Sequence, residues 1–494
     1  MKTASLAFFC LTGALLAADS PYEITDILTA NSPSASRSTE WKPGEGLALD
    51  VSGMDFTADG KLAVAIRKGE VWMLDGVLGP VDKIGYKLFA SGLHEPLGLL
   101  RDGKDLLVTQ RTEMTRLRDT NGDGVADEYL TSGRGWNVSG AYHGYAYGPR
   151  RDGSGNLWVS LNVDMGEHSN NKAPWRGWAG IIGSDGNFQP MCAGMRSPCG
   201  LGANAAGDMF CVDQQGTWIC TTPIYHLKKG AFFLNPEGIA SQDLPASPLK
   251  LSAKVPEKMP YPDAVRALHE MQPPAVWLPY NKMGRSGTDL AVIPPEKFGP
   301  FGGQFAVAEF TDAKVSRVFL EKVDGEYQGA AFPFLAGFAS GIVRLHFAPD
   351  ASLMVGMTSR GWSSLGTKAY GLQRVRWKGT TPFAIREMRA KPDGFELAFT
   401  EPVDTASAAN LASYSMKSFT FFYSGAYGSD EIQNEPLKIT AAIVAPDAKS
   451  VRLKVDGLRP LYVHELHADG IRSMTGAKLD HADAYYTLNR IPKQ

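Results

Sequence analysis

The stretch from Asp119 to Pro149 gathers the residues best suited to chemistry. It opens as D-T-N-G-D-G-V-A-D-E, and from Tyr142 it reads Y-H-G-Y-A-Y-G-P. In the first half Asp119, Asn121 and Asp123 alternate as oxygen donors. Gly124 permits a sharp turn, and Asp127 or Glu128 stands where a shell would close. Calcium takes roughly six to eight oxygens, so dense, short-range carboxylates and amides suit it. The pattern departs from an EF-hand loop, whose closing glutamate comes later; Thr131 is nearer that place. The competing reading is a solvated Asp/Gly turn. In the second half His143 stands among Tyr142, Tyr145 and Tyr147. A histidine on a loop entering a strand suits general-base work, because its ordinary pKa lies near working pH. A structural histidine is the alternative.

Residues 1–18 read as a secretory leader. Lys2 is its positive start, Leu6 to Leu16 its apolar core (which contains Cys10), and Ala17-Ala18 its small-residue cleavage site. No later run is long and apolar enough for a transmembrane segment. The mature chain is therefore expected to be exported, periplasmic or extracellular. A formal charge of −2 and the lack of a long basic run argue against nucleic acid as a partner.

Beyond Cys10, the cysteines are Cys192, Cys199, Cys211 and Cys220. In an exported chain such a cluster predicts at least one disulfide, with three pairings open. Zinc would want a closer C-x-x-C spacing. There is no C-x-x-C-H, so covalent haem is excluded by motif.

The elements that must position these residues recur along the chain. Units of strand, D-G-like turn and strand start near Gly53, Gly98, Tyr145, Leu201, Asp289 and Leu345. A hairpin repeated at this period predicts an all-β, six-bladed β-propeller over residues 19–380. The wider gap after Leu201 predicts an insertion at about 220–274, helical near Pro262–Met271. From residue 381 to 494 short alternating strands predict a separate Ig/fibronectin-like β-sandwich, able to fold alone.

Two stretches add to Y-H-G-Y-A-Y-G-P: G-M-R-S-P-C-G-L-G (Gly194–Gly202) and D-Q-Q-G-T-W (Asp213–Trp218). In that order the three resemble the glucose/sorbosone dehydrogenase-like propellers, which bind pyrroloquinoline quinone. P-P-A-V-W-L-P-Y-N-K-M-G-R-S, Y-G-L-Q-R-V-R-W and A-Y-Y-T-L-N resemble a group of large exported propellers called membrane-bound dehydrogenases. The resemblance implies His143 as the base that takes a substrate hydroxyl proton, and Arg196 as the cation that stabilises negative charge. It implies Ser197, where the family has asparagine, and Gln215, Gly216 and Thr217 at the cofactor and its calcium. Lys314 and Arg344 are the nearest candidates to clamp the quinone carboxylates, with Arg285 and Arg360 behind them. Tyr145, Trp175 and Trp218 are candidate platforms for a sugar ring, with blade packing as the alternative for the tryptophans.

The function expected is oxidation of a sugar or other alcohol, handing electrons to an external acceptor. The alternatives are a non-catalytic propeller binding a glycan or protein, and a polysaccharide hydrolase or lyase. The last would need paired carboxylates, for which Asp213 and Glu309 are the nominees.

Overall fold

The computed structural model describes residues 20–28, 50–138, 140–165 and 173–493. The leader expected at 1–18 lies outside the described residues. The fold is all-β with few helices, and its sheets are arranged as in a propeller. The sheets follow chain order. The first runs Val51–Phe56, Leu62–Ile66, Glu70–Asp75, Gly85–Ala90, and the second Leu99–Asp102, Asp105–Thr109, Met114–Arg118, Glu128–Gly133. The third is Ala146–Arg151, Leu157–Leu161, Trp178–Ile182, Phe188–Ala193. The fourth is Gly200–Ala203, Met209–Val212, Thr222–His226, Val276–Leu278. The fifth is Gly287–Val292, Phe305–Glu309, Lys314–Val323, Glu326–Leu335. The sixth joins Gly341–Phe347, Leu353–Thr358 and Tyr370–Trp377 to the N-terminal strand Tyr22–Leu28. The first strand of each sheet touches the first strand of the next, and the sixth returns to the first, so the ring closes.

Every repeat start read from the sequence lies on, or one residue before, a first strand of this ring. The reason is packing. Strand Leu62–Ile66 is buried throughout. Leu62, Val64 and Ile66 pack with Met354 and Leu372 of the sixth sheet, while Ala63 and Ala65 pack with Leu99, Leu106 and Val108 of the second. Side chains alternate across a strand, and both faces must find an apolar neighbour. At the centre the backbones meet closely: a Cβ on Gly98 would stand 1.9 Å from the Gly148 carbonyl oxygen, so no larger residue fits.

The insertion begins later than expected. Thr222–His226 is the third strand of its sheet, and the excursion follows it, with helix Tyr261–Ala267, before Val276–Leu278 closes the sheet. The C-terminal residues also differ from the expectation of independence. Asp483–Leu488 pairs with Glu326–Leu335, placing Tyr486 opposite Ala330, so one nine-stranded sheet runs through both regions. Phe319, Ala330 and Phe332 share a core with Phe395, Leu453 and Tyr486. A second four-stranded sheet, Ile385–Lys391, Gly394–Phe399, Ser450–Val455 and Ile439–Val444, completes this region. Among the described residues no helix is long and apolar enough to cross a membrane.

Candidate functional site

His143 lies on the loop that enters the third sheet, just before Ala146–Arg151. The loop turns tightly there, with the Tyr145 amide donating to the His143 carbonyl at 2.7 Å. Its ring Nδ1 faces the Met165 carbonyl oxygen at 3.5 Å. A carbonyl can only accept, so this contact favours the proton on Nδ1 and leaves Nε2 to act as a base. Burial pushes the pKa of His143 below the usual histidine value, and the positive charges of Arg196, Arg111 and Arg67 push the same way. The imidazole is therefore held neutral.

Arg196 lies on the loop entering the fourth sheet. Its amide and that of Ser197 donate to the Asp213 carboxylate at 2.8 and 2.6 Å, and the Gln214 amide donates to the same group at 2.8 Å. Burial pushes the Asp213 pKa up to about 6, against the pull of these amides. The Arg196 side chain lies on the segment that follows. Its Nε donates to Thr217 Oγ1 at 3.3 Å, and the guanidinium rests against Gly216. The Val163 amide donates to the Arg196 carbonyl at 3.0 Å. Residues 163–165 thus touch both the Arg196 loop and the His143 ring.

These loops meet at one cavity of about 480 Å³. It is lined by His143, Tyr145, Arg196, Ser197, Gln215 and Arg344, all singled out in the sequence. Gly216 and Thr217 stand behind Arg196 instead of on the wall. Beside the neutral His143, the charged lining is five arginines (Arg67, Arg196, Arg285, Arg344 and Arg360) and one carboxylate, Asp50. Arg344 is buried and donates to the carbonyls of Ser52, Leu97, Thr288 and Val343. Neutral acceptors satisfy its hydrogens without cancelling its charge. Arg67 pairs with Glu95 at 3.1 Å, Arg285 with Asp312 at 3.5 Å and Arg360 with Asp50 at 3.6 Å. Among the described residues no carboxylate comes within ion-pairing distance of Arg196.

Other expected residues fall elsewhere. Lys314 pairs with Asp312 at 2.9 Å and reaches the Lys282 carbonyl, away from the lining. Trp175 is buried edge-on against Trp178, and Trp218 packs on Tyr423; neither lines the cavity. The aromatic residues that do reach it are Tyr147, Tyr280, Phe310, Trp362 and Tyr427, besides Tyr145. Tyr280 shares the P-Y-N-K-M-G-R-S stretch with Arg285, a signal that could have found it. Tyr427 had none, because it comes from the C-terminal region.

One expectation needs correction, and a second finds no support among the described residues. The four cysteines stay as free thiols, each buried. Cys192, Cys211 and Cys220 pack singly into one apolar core, whereas Cys199 packs with Leu97, Tyr145 and Tyr147. Burial pushes all four thiols up, and they behave as small apolar side chains. The calcium loop joins the third and fourth strands of its sheet, and its donors are spent locally. Asp119 accepts from the Gly122 and Gly124 amides at 2.7 and 2.8 Å, Asn121 and Asp123 accept from the Asp123 and Val125 amides, and Asp127 accepts from Thr120. Glu128 pairs with Arg118, and the Lys87 ammonium donates to the Asp123 carbonyl. The loop is thus closed by its own amides, with Arg118 and Lys87 supplying the positive charge beside it. Among the described residues no three His, Cys, Asp or Glu side chains are grouped to hold a metal.

Residues 75–258 match the family described as "Domain of unknown function (DUF7133)". No curated protein matches the chain. Among solved structures the chain is similar to the PQQ-bound aldose sugar dehydrogenase of Streptomyces coelicolor, at 13% identity over 72% of this chain and 98% of that one, with a TM-score of 0.46. It is similar to the soluble aldose sugar dehydrogenase of Escherichia coli at 12% identity, 72% and 100% coverage and a TM-score of 0.46. The PQQ domain of a pyranose dehydrogenase from Coprinopsis cinerea gives 13%, 72% and 95%, and 0.46.

Proposed function

We propose that the chain is an exported oxidoreductase, a six-bladed propeller (19–380) with an Ig-like C-terminal domain (381–494), that oxidises a sugar or other alcohol with pyrroloquinoline quinone. One observation carries this reading: a neutral His143 shares a cavity with Arg196, in a lining of five arginines and a single carboxylate. Such a lining suits a flat polyanion. Arg196 and Arg344 would hold the quinone's negative groups, with Ser197 and Gln215 as polar neighbours. Bound there, the quinone would supply the two-electron acceptor for a hydride.

The chain's own residues do the rest. His143 Nε2 takes the hydroxyl proton as the substrate carbon gives up its hydride, leaving a carbonyl product. The Met165 carbonyl keeps the ring oriented. The arginines stabilise negative charge on the substrate oxygen and keep His143 unprotonated until it is needed. An external acceptor would then take the electrons.

The hydrolase reading loses support. Asp213 and Glu309 both spend their carboxylates on backbone amides, Glu309 on those of Arg285, Ser286 and Asp312, and neither lines the cavity. The test is titration of the purified chain with pyrroloquinoline quinone, followed by quenching of tryptophan fluorescence. Dye reduction across sugars and alcohols then follows. Saturable quenching with sugar-dependent reduction is expected. Absence of both would leave a glycan-binding propeller in its place.

A further inference from the structure

The mouth of the cavity carries aromatic side chains that proton transfer at His143 does not use. Tyr280, Trp362 and Tyr427 line it and are 40%, 45% and 67% exposed. Each is held on one side. Trp362 packs 4.6 Å from Phe310 and donates its Nε1 hydrogen to Thr311 Oγ1 at 3.0 Å. The Arg285 guanidinium stands 5.4 Å from the Tyr280 ring centre, and that of Arg196 stands 5.3 Å from the Tyr427 ring centre.

They come from three separate parts of the chain. Tyr280 follows strand Val276–Leu278, and Trp362 lies between Leu353–Thr358 and Tyr370–Trp377. Tyr427 sits on the loop between Ser415–Tyr423 and Glu431–Leu437, and its backbone is docked on the Gln215–Cys220 segment. The Gly428 amide donates to the Gly216 carbonyl at 3.0 Å, the Trp218 amide to Ala426 at 3.2 Å, and the Ser429 amide to Cys220 at 2.8 Å. Thr217 and Tyr427 face each other across an antiparallel bridge. A fixed backbone thus presents a mostly exposed ring at a cavity mouth. Packing does not require that, and large exposed aromatic surface at a concave site marks binding.

We propose that the substrate is a saccharide of more than one ring. The reacting ring enters toward His143, and the next ring rests on Tyr280, Trp362 and Tyr427. The apolar C–H face of a pyranose lies on the exposed side of an aromatic ring, opposite the guanidinium of Arg196 over Tyr427 or of Arg285 over Tyr280, while its hydroxyls stay in water. The reacting end rests on the oxidoreductase reading, whereas binding at the rim does not. The C-terminal region, through Tyr427, becomes a specificity element.

The test uses the full chain with glucose, cellobiose, cellotetraose, maltose and maltotetraose. Binding is measured by calorimetry without quinone, and kcat and KM by dye reduction with it. One longer series should bind roughly tenfold more tightly than glucose, about the worth of one stacked ring. Tyr427→Ala and Trp362→Ala should cut the oligosaccharide-to-glucose ratio of kcat/KM by a similar factor, through KM. Tyr427→Phe should keep the ratio, and matching melting curves would exclude misfolding. Oligosaccharide binding that the alanine variants lose, with no dye reduction in any protein, supports the rim and overturns the oxidation. Equal binding of glucose and every longer sugar, or a ratio unmoved in both alanine variants, overturns the rim.

Discussion

Gly216 lies flat against the guanidinium of Arg196: a Cβ added to it would stand 2.2 Å from Arg196 Cζ. The obstructed atoms are the mobile end of a side chain, so the clash would be relieved by moving Arg196 and not by disturbing the sheet. Gly216→Ala should therefore weaken quinone binding by roughly tenfold or more, the loss of a charge-assisted contact, and leave the melting temperature nearly unchanged. Parallel fluorescence titration and thermal melts check both halves.

His143→Ala should lower kcat by about 10²–10⁴, the usual worth of a general base. The pH profile carries a sign. The folded-state pKa lies below the ordinary value of about 6.5, so the base is fully available above that pH and the acid limb of kcat/KM falls below it. Loss of that limb in the alanine variant, measured with a dye whose own reduction is pH-corrected, is the expected signature.

Asp213 supports the Arg196 loop from beneath. Asp213→Ala leaves the amides of Arg196, Ser197 and Gln214 without their acceptor and should cost about 3 kcal/mol. The folded-state pKa of about 6 stands above the ordinary 3.8. Its contribution to stability is therefore complete below the unfolded value and is lost as pH rises through about 6. The gap in denaturant stability between wild type and variant should widen as pH falls from about 6 toward 4.

Deleting residues 381–494 should not yield a working propeller. The cut bares the edge of strand Glu326–Leu335 and uncovers Phe319 and Phe332, a pairing and aggregation surface. It also removes Tyr427 from the cavity. Light scattering and circular dichroism of the fragment should find aggregation or a lowered melting temperature.

The thiols give a direct count. Denatured without reductant, Cys192, Cys199, Cys211 and Cys220 should each take up an alkylating reagent, read by peptide mass. Reductant should leave the melting temperature of the native chain unchanged.

The sequence by itself determined the ring. Units such as G-M-D-F-T-A-D-G-K-L-A-V-A carry their turn and their alternation locally, and a strand buried on both faces must repeat beside another like it. It also placed His143, Arg196 and Gln215 on loops that a ring brings to a common mouth. Tertiary structure decided what local pattern cannot encode. The cysteines are close in sequence but pack singly, three in one core and Cys199 in another. The carboxylates from Asp119 to Glu128 have calcium spacing, yet folding gives their oxygens to loop amides and to Arg118, and brings in Lys87 from a neighbouring sheet. Trp175 and Trp218 are large apolar surfaces, and packing claimed them before any ligand could. Arg344, by contrast, draws three of its carbonyl partners, Ser52, Leu97 and Thr288, from distant segments. Tyr427 reaches the cavity because Asp483–Leu488 extends a propeller sheet, Met259–Pro260 pairs with Tyr423 and Phe422, and the loop after Tyr423 docks on Gly216, pairings across some 150 residues or more that no periodicity announces.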